Sequence, residues 1–351
     1  MNMNYMMEED IKSQGKIVED LINKYVVNYC VLMDIPLRIR QIKIIASGSS
    51  FNAGLFGKYF LENISQTETS IEYASEFANS SFLNHDVDCL HIFISQSGNS
   101  TDVIQSIEKV KKRGVKTLCI TNNEKSKLYE LSDFRLLLGA KEERAIAATK
   151  TFSATVVMMW LVALKIAQNK HLDIAQETKN VYSIKQNIEN TIEDIENLDY
   201  ASKLISKQKS FSLVGLGEHY PLSKEAALKI KEINYIDANA YPMGEFVHGH
   251  FAILNKSKVL LSFLFGEVNE QEKKLLDKIL TTYKPKTIIL TDDYEDYNSD
   301  MLLKFPKANS KIANIVCATI VVQLLALKIA YILKRNPDKP KGLMKLVQEK
   351  G

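Results

Sequence analysis

The sequence predicts an α/β protein with two doubly wound parallel sheets in tandem, each flanked by helices on both faces in an α-β-α sandwich. Short apolar, strand-like runs alternate with longer amphipathic stretches along most of the chain. This alternation is typical of parallel sheets covered by helices. Similar segments also recur in the same order in the two halves of the chain, which indicates two copies of one unit.

The internal repeat is clearest in two pairs of segments. LVALKIA at Leu161–Ala167 resembles LLALKIA at Leu324–Ala330, and KTLCITNN at 116–123 resembles KTIILTDD at 286–293. The members of both pairs are roughly 160 to 170 residues apart, as expected for an internal duplication.

The elements of the first half, residues 41–170, follow in alternating order. IKIIASGSS, LHIFISQSGNS and KTLCITNN are predicted strands. FNAGLFGKYFLENI and TDVIQSIEKVKKRG are the helices between them. Residues 1–40 form a predicted helical lead-in, with residues 17–33 as its apolar-striped body.

The second half, residues 209–335, repeats the alternation with FSLVGLGE, VLLSFLF and KTIILTDD as strands. A charged helical linker is predicted at 171–208, and residues 336–351 form a C-terminal tail. Two long apolar stretches, at 154–167 and 313–333, are predicted buried helices. The first is too short to span a membrane, and the second contains Gln323 and Lys328.

Composition excludes several classes of partner. With 351 residues, 46% of them hydrophobic and 25% charged, the chain can bury a sizeable core. Its 45 basic and 42 acidic residues leave a formal net charge of +3. Because the two signs are mixed along the chain, neither a nucleic acid nor a membrane surface is a predicted partner.

The cysteines and the N-terminus both fit a reducing cytoplasm. Cys30, Cys89, Cys119 and Cys317 lie far apart in apolar contexts without CxxC spacing, which predicts buried reduced thiols and neither zinc nor disulfides. MNMNYMMEEDIKSQ has polar and acidic residues where a signal peptide needs a basic region and an apolar run.

Two loops rich in hydroxyl groups follow predicted strands of the first half, where ligands of open α/β sheets bind. They consist of Ser47, Gly48, Ser49 and Ser50, and of Ser95, Gln96, Ser97, Gly98, Asn99, Ser100 and Thr101. Amides at a helix N-terminus bind anions, so the second loop is a candidate phosphate site. The alternative is that Ser100 or Thr101 merely caps a helix. The equivalent loop of the second half, LFGEVNEQ, carries acids and no serines, so only the first half is expected to bind phosphate there.

The stretch KEAALKIKEINY at 224–235 combines an apolar stripe with a line of charges. Glu225, Lys229 and Glu232 are spaced i, i+4 and i+7 and share one face of a helix. They could be ordinary surface ion pairs, each worth a few tenths of a kcal/mol. They could also carry acid/base chemistry.

Five motifs in order carry a resemblance to a known family. They are SGSSFNAG, SQSGNSTD, AIAATKTF, KEAALKIKEINYIDANAY with GEFVHGHFAI, and DKPKGLMK. Together they resemble the sugar isomerase (SIS) family, and the likeness is greatest to the isomerase half of glucosamine-6-phosphate synthase. The resemblance extends from MEEDIKSQ to the last ten residues.

The resemblance implies which residues contact a phosphosugar. The phosphate-binding loop is matched by Ser95, Gln96, Ser97 and Ser100. Ser49, Ser50 and the backbone around Ile146 match contacts to the sugar and its phosphate.

The resemblance also implies catalytic roles. Glu232 matches a glutamate that shuttles a proton between C1 and C2, Lys229 a lysine that assists it, and Glu225 a charged neighbour. His248 matches a histidine that opens the sugar ring and is supplied across the interface of a homodimer. Lys345 matches a lysine that forms a Schiff base with the open-chain ketose. No metal or nucleotide cofactor is implied.

The expected function is that of a phosphosugar isomerase or deaminase acting on an amino sugar 6-phosphate. Only about 40 residues precede the first repeat and no Cys follows Met1, so glutamine is not expected to be the nitrogen source. This resembles the stand-alone glucosamine-6-phosphate deaminases of the family. His250 stands where the family usually has proline.

Two alternatives stay open. Fructosamine-6-phosphate deglycases of the family have similar length and chemistry, and a non-catalytic phosphosugar sensor would share the fold. Residues 1–40 lack the length and basic charge of a helix-turn-helix module, which disfavours a DNA-binding sensor. Glu142, Glu143 and Arg144 could shape a pocket for the amine substituent or form a solvated loop.

Overall fold

The computed structural model describes residues 5–80, 88–293, 295 and 297–343, which fold into two compact units. Within these residues, the N-terminal unit comprises 16–143 and 150–182, and the C-terminal unit comprises 5–15, 144–149 and 183–343. Each unit contains a five-stranded, all-parallel sheet with helices on both faces. The predicted fold class is therefore confirmed.

The helices, in chain order, are α1 (Met6–Lys12), α2 (Gln14–Tyr25), α3 (Gly48–Asn63), α4 (Ala74–Asn79), α5 (Thr101–Lys111), α6 (Lys127–Leu131), α7 (Lys150–Asn169), α8 (Ala175–Thr178), α9 (Ile184–Glu193), α10 (Leu198–Ser206), α11 (His219–Asn234), α12 (Met243–Phe246), α13 (Glu270–Tyr283) and α14 (Lys311–Ile332). The strands are β1 (Val26–Val27), β2 (Cys30–Val31), β3 (Gln41–Ala46), β4 (Glu68–Tyr73), β5 (Cys89–Ile94), β6 (Thr117–Thr121), β7 (Phe134–Leu137), β8 (Ser210–Gly215), β9 (Asp237–Pro242), β10 (Val259–Phe263), β11 (Lys286–Thr291) and β12 (Met301–Lys304). Short 3₁₀ turns lie at Val181–Ser183 and His250–Ile253.

The N-terminal sheet has the strand order β4-β3-β5-β6-β7. One face packs against α4, α5 and α6 through a buried cluster that includes Phe77 and Phe93. The other face approaches α3 closely at Gly54, where a Cβ would lie 2.9 Å from Cγ2 of Ile44. A Cβ on Gly57 would overlap Met159 of α7. Glycine is therefore needed at both positions for α3 to fit between the sheet and α7.

The C-terminal sheet has the strand order β12-β11-β10-β8-β9. Leu260 and Ile289 of this sheet belong to a buried cluster that also contains Phe246 of α12 and Ile279 of α13. On α11, the Asn234 side chain donates to the carbonyl oxygen of Ala326 in α14, 3.0 Å away. That contact fixes the end of α11 against the longest helix of the unit.

Two helices, α7 and α14, are long and apolar enough to cross a membrane. In their most hydrophobic windows, 89% and 78% of the residues are buried inside the protein. Side chains on every face of each helix contact protein, which explains their uninterrupted apolar sequences. Both segments are core helices, as the sequence predicts.

The lead-in differs from its prediction after Tyr25, and residues 32–40 contain neither helix nor strand. Helix α2 ends at Tyr25, and residues 26–31 form the antiparallel hairpin β1-β2. Asn28 and Tyr29 occupy its turn with φ values of 50° and 62°, the left-handed conformation that a two-residue hairpin requires. Cys30 is exposed in this hairpin, so the prediction that it is buried was wrong. Cys89, Cys119 and Cys317 are buried.

The four strands at the sheet edges were not recognised from the sequence. They are β4, β7, β9 and β12. Each mixes buried positions with half-buried or exposed ones, in contrast to the fully buried β5, β6 and β10. Edge strands lack covering neighbours on one side and therefore carry polar residues that blur the apolar run.

The buried His91 of β5 predicts a pH-dependent loss of stability. Its side chain is 1% exposed, and its ring centroid lies 5.9 Å from that of Phe77. Burial and the positive charge of Lys43 lower the pKa of His91 to about 4, from 6.5. Between pH 6.5 and 4, His91 binds a proton more readily in the unfolded chain than in the folded protein. The free energy of unfolding therefore decreases as the pH falls through this window, by about 3 kcal/mol in total.

Chemical denaturation of the wild type and of His91→Phe at several pH values between 7 and 4 checks this expectation. Phe at this position cannot take up a proton, so its free energy of unfolding should fall less steeply. Equal slopes for both proteins would show that His91 is not the group responsible.

Candidate active site

The two serine loops of the N-terminal unit lie side by side. Strands β3 and β5 are neighbours, with Ala46 opposite Ile94, so Ser47 and Ser95 leave the sheet at the same edge. The Ser47 hydroxyl donates a hydrogen bond to the Asp102 carboxylate in the first turn of α5. The structure thus joins the two loops that the sequence predicted separately. Asp102 was not predicted, because an acid in a first helical turn is a common feature.

The loop Ser95–Ser100 is ordered by its own side chains. The Ser95 and Ser100 hydroxyl oxygens are 3.1 Å apart. Ser95 Oγ accepts from the Gly98 amide, and Ser97 Oγ accepts from the Asn99 amide, both at 3.2 Å. An accepting hydroxyl keeps its own hydrogen, so Ser97 and whichever of Ser95 and Ser100 accepts in their mutual bond can still donate to an anion.

At the start of α5, the N-cap residue makes no side-chain cap, and the Val103 amide donates to the Asp102 carboxylate at 2.9 Å. Ser100 is the N-cap residue, and its hydroxyl does not bond to the amides of the first turn. The hypothesis that Ser100 simply caps the helix is therefore not supported. Amides at the start of this 11-residue helix are suitably placed for an anion.

The equivalent helix of the C-terminal unit is capped internally. Asn269 Oδ1 accepts from the Glu272 amide at the start of α13, at 2.8 Å. The Glu272 carboxylate in turn contacts His219 Nδ1 at 2.8 Å, and Nε2 of the same ring lies 2.9 Å from the Phe265 carbonyl oxygen. In contrast to Ser100 of α5, the N-cap side chain of α13 already satisfies a first-turn amide.

Two glycines allow the serine loops to form. Gly48 and Gly98 have φ values of 57° and 67°, which side chains rarely adopt. A Cβ on Gly98 would also overlap the Ser126 side chain. The loop is fastened there, because the Leu128 amide donates to the Gly98 carbonyl at 3.0 Å. Ser49 and Ser50 follow Gly48 in the first turn of α3 and are half-buried.

The three charged residues of α11 form a compact ionic cluster. Lys229 Nζ lies 2.5 Å from Glu232 Oε2 and 3.5 Å from Glu225 Oε1. The side chains of Lys229 and Glu225 are fully buried, whereas that of Glu232 is 22% exposed. The sequence left open that these residues form ordinary surface ion pairs, and their burial excludes that alternative. We call Glu225, Lys229 and Glu232 the triad.

Helix geometry explains this arrangement. Residues at i−4 and i+3 lie on the same side of a helix, so both acids can reach one lysine. A buried ammonium is costly unless carboxylates surround it. Two acids around one lysine leave a net negative charge, and Glu232, the more exposed of them, is the one that a ligand could reach. The helix ends at Tyr235, whose backbone is left-handed.

The remaining predicted site residues lie in different places. His248 follows α12 and is exposed; in the described part of the chain, no hydrogen bond or ion pair joins its ring to the triad. His250 is also exposed, and its ring centroid is 4.5 Å from that of Tyr241. Ile146 is half-buried, and its amide donates to the Asp338 carbonyl at 3.2 Å. Lys345 lies outside the described residues.

The acidic loop at 142–144 has a structural role. Glu143 is 2% exposed, and its carboxylate accepts from the Lys150 amide at 3.0 Å and from the Thr151 hydroxyl. It therefore caps the start of α7. Arg144 pairs with Glu9 at 2.7 Å and with the buried Asp10. Neither residue is a free pocket side chain.

Two parallel sheets in tandem, the first with two serine loops at one edge, define an α/β protein of the sugar-isomerase type. The SIS domain family matches residues 37–165 and 204–333. Together the two matches cover most of the chain. Each of them contains one of the two five-stranded sheets. The chain belongs to the SIS domain family.

One relative with a similar sequence is longer than this chain. The glutamine–fructose-6-phosphate aminotransferase (isomerizing) of Campylobacter jejuni is 27% identical over 355 residues, covering 98% of this chain and 58% of that protein. The chain thus spans a little more than half the length of this relative.

Two solved structures are similar over nearly their whole length. One is the C-terminal domain of glucosamine-fructose-6-phosphate aminotransferase from Francisella tularensis, with a TM-score of 0.89 and 28% identity, covering 97% of this chain and 99% of that one. The other is glucosamine-6-phosphate deaminase from Thermotoga maritima, with a TM-score of 0.75, 25% identity and the same coverage.

Proposed function

We propose that this chain is a cytoplasmic enzyme that converts glucosamine 6-phosphate to fructose 6-phosphate and ammonia. The observation that carries the proposal is the triad, in which a fully buried lysine holds a partly exposed glutamate at 2.5 Å. The names of the two similar structures, an aminotransferase domain and a deaminase that act on amino sugar phosphates, support the substrate class.

In the proposed reaction, Glu232 moves one proton. It removes the proton from C2 of the open-chain aldose and returns it to C1, while a second proton passes from the C2 nitrogen to the C1 oxygen, so that the C1 aldehyde becomes an alcohol and the C2 amine becomes an imine. Water then adds to C2, and ammonia leaves. Lys229 orients the Glu232 carboxylate and supplies positive charge while the enolamine forms.

We assign phosphate recognition to the serine loops. The first amides of α5, which the Ser100 side chain does not cap, and the hydroxyls of Ser97 and of one member of the Ser95–Ser100 pair offer donors in one place. Donors fixed before binding hold a phosphate without an arginine. Within the described residues, no group of three or more His, Cys, Asp or Glu side chains could hold a metal ion.

The test is incubation of purified protein with glucosamine 6-phosphate and, separately, with fructoselysine 6-phosphate. Ammonia and fructose 6-phosphate from the first substrate would support the proposal. Lysine and glucose 6-phosphate from the second would replace it with a deglycase. Binding of either sugar without turnover would indicate a sensor.

We further propose that His248 acts in the site of a second copy of the chain, and complementation tests this. Glu232→Gln and His248→Ala should each be inactive. After the two proteins are mixed and allowed to exchange subunits, one site of each heterodimer contains both native residues, so about a quarter of wild-type activity should return. If His248 acts within its own chain, no heterodimer has an intact site, and the mixture stays inactive.

A further inference from the structure

We infer that Asp338 and Tyr235 are positioning residues that set the Ile146 backbone relative to the triad. They do so through residues 335–341, a segment that we call the strap, and all the groups involved belong to the C-terminal unit. The inference rests on the proposed function, because it assigns a role in that reaction to residues that do not carry out its chemistry.

Asp338 links two parts of the unit that are far apart in sequence. Its side-chain oxygens accept from the Met6 and Met7 amides at the start of α1, each at 2.9 Å. Its own backbone carbonyl accepts from the Ile146 amide at 3.2 Å. Asp338 is 8% exposed, and its amide donates to Asn336 Oδ1 at 2.9 Å. A carboxylate held this way has little freedom to move.

The loop at 144–149 is fixed at both ends as well. At its start, the carboxylate of Asp10, which is 1% exposed, accepts from the Arg144 amide at 2.9 Å and from the Ala145 amide at 3.4 Å. At its end, the buried Gln323 donates to the Thr149 carbonyl at 3.2 Å. Among these contacts, only the hydrogen bond to the Asp338 carbonyl holds the middle of the loop, at Ile146.

Tyr235 fastens the strap to the helix of the triad. Its hydroxyl accepts from the Lys341 amide at 2.7 Å, and the Arg335 guanidinium lies 4.8 Å from its ring centroid. Tyr235 has a φ of 49° at the end of α11, three residues after Glu232. A non-glycine residue keeps this conformation only when its surroundings stabilise it.

The strap therefore connects the helix that carries Glu232 to the loop that presents the Ile146 backbone. The proposed reaction requires the sugar carbons to lie over Glu232 while the backbone around Ile146 contacts the sugar. Small errors in such an alignment reduce activity strongly, even when no reacting group is lost. Loss of a strap contact should therefore weaken substrate use and leave the triad intact.

The experiment compares Asp338→Asn and Tyr235→Phe with two matched controls. Asp300→Asn changes an aspartate that accepts one backbone amide, that of Thr287 at 2.7 Å, at the amino end of β11. Tyr200→Phe changes a 70% exposed tyrosine of α10. We expect KM for glucosamine 6-phosphate to rise about tenfold in both strap variants, with kcat within about threefold of wild type. Both controls should keep the wild-type KM.

The division between KM and kcat separates positioning from simple destabilisation. A partly unfolded enzyme has fewer active molecules, which lowers kcat and leaves KM unchanged. Wild-type KM values in both strap variants would overturn the inference, whatever the change in kcat.

Amide hydrogen exchange gives a second readout that does not need activity. Exchange at Arg144, Ala145 and Ile146 should accelerate in Asp338→Asn and stay unchanged in Asp300→Asn. If wild-type protein turns over no phosphosugar, the proposed function fails. The exchange rates then still decide whether the strap orders the loop, and unchanged protection at Ile146 would overturn the strap as well.

Discussion

Replacement of Glu232 by glutamine should lower kcat by about 10²–10⁴-fold, the range typical of a lost general base. Glutamine keeps the shape and can still accept a hydrogen bond from Lys229, so the helix and the fold should be preserved. It cannot take up a proton from carbon. Steady-state kinetics with glucosamine 6-phosphate, together with incorporation of solvent deuterium into the product, would measure the loss.

The matched control for this change is Glu62→Gln. Lys58 and Glu62 of α3 also form a helical ion pair at 2.5 Å, but both side chains are about one-third exposed. The kcat of Glu62→Gln should equal that of the wild-type protein. Full turnover by Glu232→Gln would mean that another group moves the proton, and the proposed mechanism would have to be abandoned.

Replacement of Lys229 by methionine should destabilise the protein by about 3–5 kcal/mol, because it leaves the fully buried Glu225 without its cation. Methionine fills most of the same volume, so the loss comes from charge and not from a cavity. The free energy of unfolding from urea denaturation at neutral pH would measure it. Activity should also be lost, since the Glu232 carboxylate would no longer be oriented.

Two comparisons test this explanation. Lys58→Met removes the cation of a surface pair and should cost less than about 1 kcal/mol. The double variant Glu225→Gln with Lys229→Met removes both buried charges and should regain much of the lost stability, because the remaining group is neutral. A double variant as unstable as Lys229→Met alone would point to packing as the cause.

The sequence predicted the features that depend on local pattern. Central strands such as β5 and β10 are mostly apolar, and the serine loops directly follow β3 and β5. The spacing of Glu225, Lys229 and Glu232 correctly placed them on one face of a helix. Whether that face was buried could not be predicted, because burial depends on α14 and on the sheet, which lie elsewhere in the sequence.

The features missed by sequence analysis depend on distant partners. Asp102 and Asp338 look like ordinary polar residues until Ser47 and the start of α1 are found beside them. Edge strands such as β9, DANAYP, carry too many polar residues to resemble strands. Cys30 lies in a hairpin whose turn comes from the backbone of Asn28 and Tyr29, and its apolar neighbours suggested a helix.

The membership of α1 in the C-terminal unit has a consequence for biosynthesis. The amides of Met6 and Met7 leave the ribosome early, but their partner Asp338 is made more than 330 residues later. At bacterial or eukaryotic elongation rates this interval is roughly 20 to 60 seconds. Throughout it, the Met6 and Met7 amides lack the Asp338 carboxylate, so the C-terminal unit can be completed only after Asp338 has been synthesised, whereas residues 16–182 are available for folding well before.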